Sequence, residues 1–193
     1  MTQKRHRRGF QKEAEAYASE FRSELGLRET DPLCPFKLCE HLDIPLRPLS
    51  SDPGLSQEMK SFFSGKGGRV FSATTLFDGP YAEILYNDYL SENRVRASIM
   101  HEIGHVLLFH PPRPPLLASG CRHFDPQLER EANDLGWTIL VPKVAALRSV
   151  QNFESTKVAA QFYGVSGQLL EYRIRKSDAR RWAENIVRRR TTS

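Results

Sequence analysis

A helix that is apolar on nearly every side, yet carries two histidines and a glutamate, leaves a chain few ways to fold. Residues Met100-His101-Glu102-Ile103-Gly104-His105-Val106-Leu107-Leu108 spell such a helix. Ile99, Ile103, Val106 and Leu107 cover one side, and Leu108 with Phe109 extends apolar character to the others. A helix of that kind is buried, and buried polar groups need partners. Four residues make about one turn, so His101 and His105 share a face and can offer two imidazoles to one cation. Glu102, beside the first histidine, has the position of the carboxylate that takes a proton from metal-activated water in His-Glu-x-x-His sites. A pair of core histidines bonded to backbone carbonyls is the competing reading. Gly104 costs this helix about 1 kcal/mol relative to alanine, which predicts a close approach there by a neighbouring helix carrying a third ligand.

That second helix is expected to start at Asp125-Pro126, an N-cap followed by proline in the first turn, and to run to Leu140 before Val141-Pro142. Leu128, Ala132, Leu135, Gly136, Ile139 and Leu140 form its apolar stripe. At about 100° per residue, Ala132, Asn133 and Gly136 lie near Glu129, whereas Glu131 falls outside the stripe. Glu129 is therefore the candidate third ligand, with Asn133 one turn on to hold it. The alternative is a rim glutamate paired to an arginine. Three protein ligands leave the fourth position of Zn²⁺ open, as in catalytic sites.

The other segments fill in around this pair. Helices are predicted over residues 10–27, 36–42, 91–109, 143–150, 154–163, 167–176 and 178–190, with a helical turn near 55–63. Residues 43–49, interrupted by Pro45 and Pro48, read as an edge strand, and 69–77 with 81–87 as a hairpin around Asp78-Gly79-Pro80. The strand 81–87 is expected to pair with an extended substrate. Pro111-Pro112-Arg113-Pro114-Pro115 stops the first metal helix, and polyproline II is expected there. His123, His110 and Tyr163 are candidates for stabilising an oxyanion, His123 foremost. The division expected is a core over residues 1–150 and C-terminal helices over 151–193, packed on it as one unit.

Charge and cysteines bound the partners. Net charge is +5, but Lys4, Arg5, Arg7 and Arg8 sit at one end. Residues 173–193 carry eight basic side chains against Asp178 and Glu184, so residues 9–172 hold about five net negative charges. Basic ends can touch nucleic acid, and 154–176 has the outline of a helix–turn–helix, but packing alone produces that pattern and solvent is the default for the tails. Cys34, Cys39 and Cys121 are odd in number and are expected to be reduced thiols of a cytoplasmic protein. No apolar run approaches the ~18 residues of a membrane span.

His101-Glu102-Ile103-Gly104-His105, preceded by Ile84-Leu85-Tyr86-Asn87 and Arg94-Val95-Arg96, resembles the core of the ImmA/IrrE family of zinc metallo-endopeptidases. Glu129-Arg130-Glu131-Ala132-Asn133 before Leu140-Val141-Pro142 resembles its second metal helix, and Val158-Ala159, Phe162-Tyr163-Gly164-Val165-Ser166 and Arg173 its closing helices. The match covers roughly residues 80–176. The resemblance implies an α+β, zincin-like fold, with a small sheet beside two metal-binding helices and a helical C-terminal part. It implies an endopeptidase acting on a cytoplasmic regulator, typically a helix–turn–helix repressor. Carried over, His101, His105 and Glu129 would be Zn²⁺ ligands and Glu102 the general base. The chain departs from the family at Leu135 and Gly136, where an aromatic and alanine are usual. It also departs in a longer 111–124 insertion, which can act as a lid. Two other readings stay open: a DNA-binding regulator with a structural zinc, and an interaction module with a vestigial site. An intact Glu102 speaks against both.

Overall fold

The computed structural model describes residues 6–111 and 125–191. The first helix, α1 (Phe10–Glu24), buries Phe10, Ala14, Ala18 and Phe21 at three- and four-residue spacing. It stops short of the expected end because Leu25 and Gly26 (φ +67°) turn out of it. After α2 (Pro35–His41), with Pro35 in its first turn, comes β1 (Leu46–Pro48). The helix α3 (Gln57–Ser64) is capped by Ser56, whose hydroxyl accepts from the Met59 N–H. β2 (Ala73–Asp78) begins four residues later than expected, since Lys66–Arg69 form a 3-10 turn and the Phe71 N–H is bonded to the Gly67 carbonyl. Gly79 (φ +57°) and Pro80 then make the two-residue connection to β3 (Tyr81–Tyr86).

The remaining elements are helical: α4 (Glu92–Leu107), α5 (Pro126–Leu140), α6 (Lys143–Gln151), α7 (Thr156–Tyr163), α8 (Gly167–Lys176) and α9 (Ala179–Thr191). The fold is α+β and zincin-like, with a three-stranded mixed sheet beside the helical assembly. Strand order is β1-β3-β2; β1 runs parallel to β3 and β2 antiparallel. Pro48 of β1 does sit on an edge strand, with Pro45 just before it. The strand expected to receive substrate does not: β3 is central, its hydrogen bonds taken from both sides, and the edge next to α4 is β2. In the register Thr75 lies opposite Ile84, so Thr75 shares the core-facing side of the sheet.

One hydrophobic core runs from Phe10 of α1 through Ile84, Ile99, Ile103, Leu135 and Ile139 to Leu170 and Ile174 of α8. Two buried guanidinium groups close the C-terminal end of α5. Arg22 donates to the carbonyls of Ile139 (2.8 Å) and Leu140 (3.1 Å), and Arg173 to that of Val141 (2.9 Å). These carbonyls lack partners within the helix, and the cations also meet the negative end of its dipole. Burial lowers the pKa of Arg22 to about 10, with Tyr163, Glu15 and Asp31 opposing the shift.

Candidate metal centre

The close approach predicted at Gly104 is present and is reciprocal. A Cβ built on Gly104 would lie 2.5 Å from the Ala132 carbonyl oxygen, and one on Gly136 would lie 2.3 Å from that of Met100. Two hydrogens in place of two methyl groups thus let α4 and α5 cross backbone against backbone. That crossing brings Glu129 over the turn of α4 that bears the histidines. Asp125 starts α5 on the spot, its carboxylate accepting from the Gln127 N–H at 2.9 Å.

His101 Nε2 and His105 Nε2 are 3.1 Å apart, and Glu129 Oε2 is 3.3 Å from the first and 3.7 Å from the second. A tetrahedral zinc ion with bonds of 2.0–2.1 Å needs ligand atoms about 3.3–3.4 Å from one another. The triangle therefore fits such a cation without rearrangement, and among the described residues it is the cluster of this kind. Electrostatics agree with the shape. Contact with His101 and His105 holds the Glu129 carboxyl well below the usual carboxylate range, against the effect of burial. Burial disfavours the charged form of His101, but Glu129, Glu102 and Asn133 outweigh it and raise its pKa.

The expected residues divide as follows. Asn133 Oδ1 is 3.1 Å from His101 Nδ1, so it accepts from that ring nitrogen and leaves Nε2 with its lone pair toward the triangle. The sequence placed Asn133 as a brace for Glu129; it braces His101 instead. Glu102 is buried and its Oε2 accepts from the Thr75 hydroxyl at 2.7 Å. Thr75 was not foreseen, because a strand threonine 27 positions away carries no local signal. Tyr163 is not at the site: it is fully buried, and its hydroxyl donates to the Thr30 carbonyl at 3.3 Å. His110 is close, but it lies behind His105, with the two Nδ1 atoms 2.9 Å apart. Glu131, expected outside the apolar stripe, is buried beside His110, since the chain end of α4 folds back over that side of α5. His123, Cys121 and the polyproline and lid expectations for the insertion fall outside the described residues.

Asn87 explains the carried-over Ile84-Leu85-Tyr86-Asn87 string. It is fully buried, donates to the Phe71 carbonyl at 3.2 Å and accepts from the Tyr89 N–H, fastening the end of β3 before α4 begins. Arg96 ties α4 to the carbonyls of Gly164 (2.8 Å) and Leu33 (3.0 Å). No described helix is long and apolar enough to cross a membrane.

A comparison with curated proteins finds no match to this chain. A family model described as the IrrE N-terminal-like domain, a peptidase family (Peptidase M78), matches residues 39–175, a span that holds the sheet, both crossing helices and all three corners of the triangle. The match extends well beyond the two crossing helices and takes in most of the chain, and the chain therefore belongs to the IrrE N-terminal-like family of metallopeptidases.

Proposed function

We propose that the protein is a zinc-dependent endopeptidase that cleaves a cytoplasmic regulatory protein. The observation that carries this is the His101–His105–Glu129 triangle, with spacing matched to zinc, beside a buried Glu102 that takes no part in it. A structural zinc site has no use for that fourth side chain. His101, His105 and Glu129 would hold the zinc, which would supply Lewis-acid chemistry to a scissile carbonyl and to an attacking water. Glu102 would be the general base, taking a proton from the attacking water as its oxygen bonds the scissile carbonyl carbon and returning that proton to the amine nitrogen as the C–N bond breaks. Thr75 donates to Oε2 and so helps hold the carboxylate in one orientation.

Substrate is taken as an extended segment laid along the free side of β2. This strand is an edge among the described residues, and Thr75 joins it directly to Glu102. Phe77, on the same side of the strand as Thr75, is partly exposed and available to a substrate side chain. Such pairing selects a loop or locally unfolded region, and the family resemblance points to a helix–turn–helix repressor. The free thiols of Cys34 and Cys39 fit a reducing compartment, with burial pushing Cys39 up to about 12. The DNA-binding reading is less favoured, because Glu171 of α8 neutralises Arg180 through both carboxylate oxygens and also accepts from Thr156.

The test is incubation with the product of the adjacent gene, as a candidate helix–turn–helix repressor. Cleavage should be abolished by EDTA and restored by zinc. Glu102→Gln should keep the metal and lose about 10²–10⁴-fold in rate. Undiminished cutting by that variant would remove the general-base assignment.

A further inference from the structure

Behind His105 lies a second pair of polar side chains that no part of this mechanism uses. His110 is 7% exposed and Glu131 8%, and both are in contact. His110 Nδ1 is 2.9 Å from His105 Nδ1, and His110 Nε2 is 3.8 Å from Glu131 Oε2. Glu131 Oε1 accepts from the Gln127 side-chain amide at 3.1 Å.

The backbone is shaped to put His110 there. The His110 N–H bonds the His105 carbonyl at 3.0 Å and the Phe109 N–H bonds that of Val106 at 3.0 Å, the two hydrogen bonds of a Schellman motif closing α4. That motif needs a left-handed residue, and here it is Phe109 at φ +51°, 91% exposed. Glycine is the usual occupant, since a bulky residue in this region is strained. The strained turn projects Phe109 into solvent and returns the next side chain beneath the helix, against the outer nitrogen of His105.

From this arrangement we infer that His110 and Glu131 are positioning residues for His105. The inference rests on His105 being a ligand through Nε2. If Nε2 offers its lone pair to a cation, the proton of the neutral ring is on Nδ1 and is donated to His110 Nδ1. His110 then carries its own proton on Nε2, the nitrogen that faces Glu131. Glu131, an ion-pair neighbour at 3.8 Å and not a hydrogen-bond acceptor, favours that proton by its charge, and the His110–His105 hydrogen bond sets one tautomer and one ring orientation, as Asn133 does for His101. Each imidazole of the triangle is thus braced from behind, one by an amide and one by a second imidazole backed by a carboxylate.

The two roles open to His110, acceptor and packing, are separated by a pair of substitutions. Asn Oδ1 takes the place of His Nδ1 and can accept the same hydrogen bond, whereas Leu fills the space and cannot. Zinc affinity, measured by chelator competition on the full chain, should fall about 10–100-fold in His110→Leu. It should stay within a few-fold of the parent in His110→Asn. Glu131→Gln should weaken binding by less than His110→Leu. The visible spectrum of the cobalt-substituted protein should change in His110→Leu and be retained in His110→Asn. Equal affinity in folded His110→Leu and the parent would overturn the inference, as would equal losses in Leu and Asn variants. His105→Ala and Glu129→Ala are the controls. If they too keep full affinity, it is the ligand set that fails; if they lose it while His110→Leu does not, only the positioning role fails.

Discussion

Asp134 shows how much a single side chain on α5 can do on the face away from the triangle. It is buried, and its carboxylate accepts from the Tyr172 hydroxyl, from His6 and, at 3.3 Å, from Lys176. Burial opposes ionisation, but these three partners together bring its pKa below the ordinary value. Burial, reinforced by the same carboxylate, pushes the Tyr172 hydroxyl well above its usual range. A depressed carboxylate contributes stability that is present above its unfolded pKa of about 3.9 and is lost as pH falls through the folded one. Asp134→Asn should therefore lower the melting temperature at neutral pH. It should also flatten its decline in acid, which melting curves stepped from pH 7 to pH 3 will display; parallel acid limbs in the two proteins would contradict this. Nothing local in Glu131-Ala132-Asn133-Asp134 distinguishes the residue that faces His110 from the one that faces Tyr172. Both are acids on one helix, and the neighbours that separate them lie 21 residues before and 38 residues after.

At the scale of elements, the crossing of α4 and α5 governs the site. His101 and His105 are held together by the helix that carries both, but Glu129 reaches them only if the two backbones touch. Gly104 announces this in the sequence by its cost to the helix. Gly136 does so less clearly, because it reads as an ordinary member of the apolar stripe. In an exposed helix, Gly→Ala is worth about 1 kcal/mol of stabilisation. Gly136→Ala should have the opposite sign here, destabilising by about 1–3 kcal/mol, since its methyl would overlap the Met100 carbonyl. It should also weaken the binding of a metal by the triangle, by moving Glu129 outward. Urea unfolding and a metal titration on the same variant read both effects, and a gain in stability would mean that the helices are farther apart than described. The hairpin illustrates the converse. Its strands and turn were legible, yet the substrate edge was assigned to β3, because strand order is invisible in a local pattern. β1, a three-residue strand spaced far along the chain, takes the other side of β3 and leaves β2 outermost.

Across the whole molecule, two buried arginines join the end of α5 to helices near both ends of the chain. Arg22 reaches it from α1, and Arg173 from α8. Arg173 is fully buried, burial lowers its pKa, and it bonds Glu15 Oε1 at 3.0 Å, while Glu15 Oε2 accepts from the Lys143 N–H at 2.9 Å. The C-terminal helices are thereby stitched to α1 and to the end of α5 by one polar thread through the core. Arg173→Met should cost about 3 kcal/mol, because the buried Val141 carbonyl and one oxygen of the half-buried Glu15 carboxylate lose their donor. Denaturant unfolding measures this, and an unchanged midpoint would reduce the thread to mere packing. A single unfolding transition, seen alike by fluorescence and circular dichroism, is the further expectation for a core continuous from Phe10 to Ile174.

By itself the chain determined its helices, its hairpin, the shared face of His101 and His105, and a third acid on a glycine-bearing helix. These depend on periodicity and caps, which act over a few residues. Tertiary structure alone decided which strand lies at the edge, that Thr75 holds Glu102, that Asn133 serves His101, and that a strained turn sets His110 and Glu131 behind His105. Those contacts join residues far apart in sequence. Their energies depend on burial and distance, which no local pattern encodes.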